Sequence, residues 1–495
     1  MTIFLKFIVR TVFVYCLGVE YLGVNGLFTN ILSILNLTEM GFGASIVYNL
    51  YKYLAVGDKC EVSKYVNAFR KIYAVIGVLI FVLGMILTPF LHVFIKDTPN
   101  VGNIRFIYFL YLADSVSSYF FAHYRELLQA DQKGYINYIN RLFFVILQSL
   151  AQIIILVLLK NFYLYLSVNI VVQYLSGMKI RRKALKVYPF LKEKCKDKLS
   201  KEQKDELFRN SKALFYHMIG FAMLNSTDNI IISSFIGTVA VGKYSNYALI
   251  QSILTGLIAL FTANIQATVG NVCAKENDEQ QIAILMRVNF IIVLLYGIVL
   301  SGMCITANSF IEIWVGADYV LSENILFAFY INAFLLGIRS VISVYITALG
   351  LFYRTRTKPF FEVTINLIFS IVLVKRIGMT GVFAGTLISF VTTNLWYEPF
   401  VLFKCHYKKG LWQYYRNCAG YVLLVFICIF INRTICSFIH LTGIPNVVFR
   451  AVISIAIPIL TFSFVYRNTS EYLYLKKLAL QKVKNLFRKD EIISD

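Results

Sequence analysis

Stretches of some twenty mostly apolar residues recur from one end of this chain to the other, separated by short basic connections. An α-helix rises 1.5 Å per residue, so about 20 residues cross a hydrocarbon core about 30 Å thick. Fourteen such segments can be read, at about 2–17, 25–50, 70–95, 104–127, 138–159, 161–180, 212–236, 244–270, 286–308, 323–349, 358–374, 379–403, 415–432 and 447–466. The pattern predicts an all-α integral membrane protein of about 14 transmembrane helices. The alternating ten-residue strands of an outer-membrane barrel are absent from the sequence. Composition agrees, with 58% hydrophobic residues, 15% charged residues and a mean hydropathy of +0.68. An average soluble domain is roughly 25% charged, and one this apolar would expose patches that aggregate. The first segment is short and holds Lys6 and Arg10, so a shortened first helix is expected, and no cleaved signal peptide.

The net charge of +22 would point to nucleic acid in a soluble protein. Its distribution gives another meaning. With the N-terminus inside, the inner connections carry 37 Lys and Arg residues and the outer ones 8. Such an excess is the positive-inside rule; it places both termini in the cytoplasm and makes membrane lipids, not nucleic acid, the expected contact of the basic loops.

Residues 17–35 return at 236–254 with a constant offset of 219, so that Gly18 falls on Gly237 and Gly23 on Gly242. Ile31, Ser33, Ile34 and Leu35 fall on Ile250, Ser252, Ile253 and Leu254. Six spans lie within that offset. An even number makes the repeats parallel, and membrane proteins built from two such halves place substrate between them. The expected organisation is a six-helix lobe at 1–182, a basic cytoplasmic linker at 183–211 and a second six-helix lobe at 212–405. Two further helices at 406–466 and a basic amphipathic cytoplasmic tail at 467–495 follow. Within the linker, Ser200 and Gln203 have capping-box spacing, so a helix is expected to start there.

Ionisable side chains inside apolar spans are costly, and each is a site hypothesis. Arg10, Glu39, Asp114, Asp228, Arg339, Glu362 and Glu398 meet that description. Arg339, near the middle of its span, reads either as a cationic contact for a phosphate or as half of a structural ion pair with Glu362 or Asp228. Asp228 and Asn229 lie in a polar cluster at 225–229 that can line a cavity, bind an ion or glue helices. Asp114, followed by Ser115, Ser117 and Ser118, has the same alternatives. Arg287 lies at the inner end of its span and reads as a topology or lipid anchor or as a substrate contact. Phosphate-binding loops, paired catalytic carboxylates, nucleophile–histidine pairs and metal-ligand spacings are not found, so neither an enzyme nor a cofactor is expected. The nine cysteines form no CxxC pair and read as core residues or incidental thiols.

The segments 17–45, 118–135, 225–246, 337–370, 381–386 and 396–399 resemble the bacterial polysaccharide repeat-unit flippases, the Wzx-like branch of the MATE/flippase (MOP) superfamily. Two features depart from the family. Members usually have a longer stretch before the equivalent of Arg10, and many read Arg-Ser-Pro where this chain has Arg339, Ser340 and Val341. The resemblance implies fourteen helices in two lobes around a central cationic cavity. It implies transfer of an undecaprenyl-diphosphate-linked oligosaccharide across the cytoplasmic membrane, for O-antigen or capsule assembly, alongside a polysaccharide polymerase and glycosyltransferases. On that reading Arg10, Arg339 and Arg287 contact the diphosphate, with Asp228 and Asn229 in the same cavity. The alternatives are a cation-coupled multidrug exporter of the same fold, using Asp228, Glu39 or Asp114 for the ion, and a membrane glycan polymerase.

Overall fold

The computed structural model describes residues 2–36, 47, 50, 51, 53–97, 99–192, 199–203, 205, 226–351, 354–439, 441–477, 480 and 481. No strand occurs among them. Among the described residues, six helices are long and apolar enough to cross a membrane: Lys59–Phe94, Gly134–Leu159, Asp278–Val315, Glu323–Ala348, Leu411–Phe438 and Gly443–Tyr466. Two compact units, Met1–Ser245 and Asn246–Asp495, divide the chain at a point inside the helix Thr238–Lys275.

The first unit opens with helices α1 (Thr2–Leu17) and α2 (Val19–Leu35). It continues through α3 (Lys59–Leu87), α4 (Ile104–Ser117), α5 (Ala122–Ala130), α6 (Gly134–Leu159) and α7 (Phe162–Val187). Side-chain caps start several of these where the sequence supplies Asp or Asn. Asp58 accepts from the backbone of Cys60 and Glu61, Asn103 from Phe106 and Asn161 from Leu164, each satisfying amides that the first turn leaves unpaired. Helix α3 shows the membrane pattern plainly. Tyr73, Ile76 and Ile80 are buried, whereas Val75, Val78, Leu79, Val82 and Ile86 are exposed on the other face. An apolar face turned outward is stable where the surrounding solvent is lipid.

The capping box at the start of the linker helix is present. Ser200 Oγ accepts from the Gln203 amide at 3.1 Å and Gln203 Oε1 from the Ser200 amide at 2.9 Å. Gln203 also donates to Glu61 at the start of α3 (2.9 Å), which docks this turn on the first unit. Residues 193–198, 204 and 206–211 of the linker lie outside the described residues.

The sequence echo has a structural counterpart within the first unit. Gly18 (φ +89°) and Gly237 (φ +134°) both precede a helix with backbone angles that L side chains rarely adopt. The next pair of matched glycines lies in contact. A Cβ on Gly23 would overlap the carbonyl oxygen of Thr238, and one on Gly242 would overlap that of Val19. Thr238 is Val19 displaced by the same 219 residues, so the contact is reciprocal: each glycine admits the backbone at the start of the other repeat's helix. Only the lack of a side chain permits so close an approach.

The second unit contains most of α8 (Thr238–Lys275), then α9 (Asp278–Val315), α10 (Glu323–Ala348), α11 (Lys358–Ile377), α12 (Met379–Pro399), α13 (Leu411–Phe438) and α14 (Gly443–Tyr466). Asn277 caps α9, with Asp278 and Glu279 in its first turn, where carboxylates suit the helix dipole. Tyr247 on α8 donates to Asn308 (2.6 Å) and accepts from the Leu321 amide (3.1 Å), pinning α8 to the loop before α10. An aromatic group of Phe290, Tyr421, Phe462 and Tyr466 joins α9, α13 and α14.

Candidate functional site

Helices α11 and α12 form a hairpin whose contact face is a ladder of polar side chains. Gly381 and Gly385, four residues apart, lie against the backbone of Leu373, Val374 and Ser370, where any Cβ would overlap main-chain atoms. This is the small-residue packing that membrane helices use for close approach. At that separation short polar groups reach across. Ser370 donates to the Val382 carbonyl (3.0 Å) and Asn366 to the Thr386 hydroxyl (2.8 Å). One turn further, the Asn394 amide donates to Glu362. At the end of the ladder Lys358 donates to Asn394 and, at 2.5 Å, to Glu398. Lys358, Glu362, Asn366 and Ser370 recur every fourth residue and so lie on one face of α11.

Arg339 of α10 completes the cluster. Its guanidinium forms a two-bond fork with Glu398, Nε to Oε2 at 3.0 Å and Nη2 to Oε1 at 2.9 Å. The Lys358 ammonium also lies 3.5 Å from Glu362. Two cations and two carboxylates therefore balance in one buried network, the condition under which charges are tolerated away from water. The four are unequally exposed: the Arg339 side chain is 21% accessible, against 4–6% for Lys358, Glu362 and Glu398. Arg339 is thus the least buried of the four. Beside it, Gly337 leaves room for the Tyr296 ring of α9. Immediately after Glu398 and Pro399 the chain takes a π-helical turn at Phe400–His406, a local distortion found often at functional positions.

The sequence reading offered Glu362 or Asp228 as the ion-pair partner of Arg339; the partner is Glu398, with Glu362 acting electrostatically in the same network. Lys358 and Asn394 were not anticipated. Lys358 stands at the first residue of its apolar segment, and its side chain is buried in the cluster.

The first unit holds a second set of predicted residues. Arg10 donates to the Ser245 hydroxyl, which in turn donates to the Gly242 carbonyl (2.8 Å). Arg10 also acts electrostatically on Tyr111 and Tyr165, and Asp114 on Tyr111. Tyr111 donates to Asn25, and Ser115, next to Asp114, donates to Asn36 (2.8 Å). Asp228 acts on Tyr244. The Asn229 side-chain carbonyl is buried with no hydrogen-bond partner among the described residues. Arg10 and Asp114 thus share Tyr111 as a neighbour, and Asp228 lies with Tyr244.

Arg287, on α9 in the second unit, stacks over the Tyr474 ring at 5.2 Å, so the turn of helix at 470–477 packs against the start of α9. Glu39 lies outside the described residues. No group of three or more potential metal ligands occurs among the described residues.

Solved structures similar to this chain share its fold over most of their length. A lipid II flippase, MurJ, in an inward closed conformation matches with a TM-score of 0.68 at 15% identity, covering 94% of this chain and 97% of that one. An inward-facing multidrug resistance MATE family transporter of the MOP superfamily matches with a TM-score of 0.60 at 14% identity, over 80% and 93%. A mutant of the Vibrio cholerae MATE transporter VcmN matches with a TM-score of 0.52 at 16% identity, over 83% and 94%. Among curated proteins, none matches the sequence. The family model described as "Polysaccharide biosynthesis protein" matches residues 1–266, more than half of the chain. With its membrane-transporter fold, the chain belongs to the polysaccharide biosynthesis protein family.

Proposed function

We propose that this chain is a flippase that moves undecaprenyl-diphosphate-linked oligosaccharide repeat units from the inner to the outer leaflet of the bacterial cytoplasmic membrane, for surface polysaccharide assembly. The observation that carries this reading is Arg339, the least buried member of a charge cluster inside the helices. A lipid diphosphate needs a polar path for its head group while its tail stays in lipid, and guanidinium binds phosphate through two parallel hydrogen bonds. Family membership and the fold shared with a lipid II flippase support the same class of cargo.

On this proposal the lobes at 1–182 and 212–405 carry the path, joined by the linker at 183–211. The helices at 406–466 pad the bundle, and the tail at 467–495 lies on the inner surface with both termini cytoplasmic. Arg10, Arg339 and Arg287 contact the diphosphate, Asp228 and Asn229 line the path, and Asp228, Glu39 or Asp114 carries any coupling ion. The substrate arrives from glycosyltransferases and leaves to a polymerase.

The test is complementation of a deletion strain. Arg339→Glu should abolish surface polysaccharide and leave lipid-linked repeat units inside, with the protein at normal level in the membrane. Normal polysaccharide at normal expression would overturn the assignment. Intact polysaccharide with accumulation of cationic dyes in the deletion strain would favour the exporter. Lengthening of lipid-linked glycan by the purified protein would favour the polymerase.

A further inference from the structure

We propose that the first unit carries a site for one anionic phospholipid, with an acyl chain in a groove between α3, α4 and α7 and the phosphate among Arg70, Arg125 and Arg181. The site lies wholly within Met1–Ser245 and stands independently of the flippase reading.

The groove has a volume of about 500 Å³, within the range of ligand pockets, and its lining is apolar apart from Ser117. Phe81 of α3, Val116 of α4, and Val171 and Tyr174 of α7 form its walls, with Phe120 from the turn Ser118–Phe121. Phe81, Phe120, Val171 and Tyr174 are exposed. The groove therefore opens outward, where a bilayer presents hydrocarbon chains.

Each wall leads to an arginine. Arg70 precedes Phe81 by eleven residues and Arg181 follows Tyr174 by seven. These are about three and two helical turns, so each arginine continues the groove-lining face of its helix. Arg125 follows Phe120 by five residues, on α5. Packing holds the three ends together. Tyr73 of α3 stacks on Tyr119, and the backbone of Gly177 on α7 lies against the Phe121 ring, where a Cβ would overlap. Arg125 donates to the Ser118 carbonyl at 2.5 Å, which ties its side chain to the same turn. All three arginines act electrostatically on the buried His123, so they converge on one place.

That place is short of negative charge. Among the described residues none of the three arginines forms an ion pair. Counting Glu126, next to Arg125 in the chain, the sum is still +2. In the topology proposed above this end faces the cytoplasm, where basic pockets between membrane helices bind anionic head groups. A soluble anion would meet the arginines and leave the groove empty, and a neutral apolar partner would do the reverse. A phosphodiester lipid satisfies both, because guanidinium bonds phosphate oxygens in pairs.

The test is native mass spectrometry of the full-length protein in detergent, titrated with phosphatidylglycerol or with phosphatidylcholine of the same chains. The wild type should retain one phosphatidylglycerol, several-fold more tightly than phosphatidylcholine. Arg70→Gln and Arg181→Gln should each weaken phosphatidylglycerol about fivefold and leave phosphatidylcholine unchanged. Val171→Trp, which fills the groove, should weaken both lipids. Arg416→Gln, in the second unit, should change neither. All four side chains are exposed, so the substitutions leave internal packing intact. Equal retention of the two lipids by the wild type overturns the phosphate site. Equal loss in Arg416→Gln and Arg181→Gln also overturns it, since the attraction would then be diffuse. Unchanged binding in Val171→Trp overturns the groove. A dimer in the spectrum that Val171→Trp disperses overturns the lipid in favour of a second copy of the chain.

Discussion

Arg339 and Lys358 hold one carboxylate between them. Glu398 accepts the fork from Arg339 at 2.9 and 3.0 Å and the Lys358 ammonium at 2.5 Å, so two cations from separate helices converge on a single side chain of a third. The arrangement gives the two cations different duties. Lys358 is buried and structural in character, while the Arg339 side chain is 21% accessible.

Replacing Arg339 by Lys tests the fork. Charge and approximate length are kept, but one of the two hydrogen bonds to Glu398, or to a phosphate, is lost. Hydrogen bonds to charged groups contribute about 1.5–3 kcal/mol, so Arg339→Lys should lower the flipping rate by roughly ten- to a hundredfold with little change in folded protein. The rate at which lipid-linked glycan appears in the outer leaflet of proteoliposomes checks this. A wild-type rate would mean that the point charge alone suffices.

Lys358 makes the opposite prediction. Lys358→Met leaves Glu362 and Glu398 to share Arg339, and breaking a buried pair in this way costs about 3–5 kcal/mol. Thermal unfolding in detergent should show a marked loss for the single variant. Lys358→Met with Glu362→Gln restores the charge balance and should recover part of it, with a coupling of about 0.5–3 kcal/mol. Independent, additive effects would show that the two side chains do not act on each other.

Much of this was legible in the residues, and the gaps have physical causes. Apolar runs of membrane length announced the helices, and the Ser200–Gln203 spacing announced a capping box that is present. The echo of Gly23 in Gly242 was visible, but not that these glycines pack against each other's repeats, because a sequence match carries no register between helices. Arg339, Glu362 and Glu398 stood out as charges in apolar spans. Lys358 did not, because a lysine beside a loop and a proline looks like a topology signal until its neighbours are known. The four-residue spacing of Lys358, Glu362, Asn366 and Ser370 was the available clue. Read as one helix face, it predicts a polar partner face, and α12 supplies it.

The reciprocal glycine contact predicts unequal effects from equal substitutions. Gly23→Ala and Gly242→Ala each place a methyl group on a backbone carbonyl of the other repeat. Backbone cannot yield as a flexible side chain can, so each should cost about 1–3 kcal/mol. At Gly256, a helical position on α8, an added Cβ meets no described atom within 4 Å. There Ala should stabilise by roughly 0.5–1 kcal/mol through helix propensity. Thermal unfolding of the three variants under one condition tests the contrast, and three similar shifts would refute the close packing.

Asp131, in the connection between α5 and α6, gives a pH prediction. Burial alone would raise its carboxyl, but Lys133 at 2.6 Å and the Tyr188 hydroxyl at 2.5 Å outweigh that and hold it below the usual carboxylate value. A carboxyl lowered by folding contributes stability above its unfolded value, about pH 3.9, and loses it as pH falls through the folded value. Asp131→Asn should therefore be less stable than wild type at neutral pH. The difference should be about 0.2–1 kcal/mol, since the pair is partly exposed. It should close as pH drops from about 4 toward the lowered folded value. High salt should reduce the Lys133 contribution and leave the Tyr188 hydrogen bond. Denaturant unfolding of both proteins across acid pH reads this directly, and a gap that stays constant through the acid range would show that Asp131 is not held ionised by these neighbours.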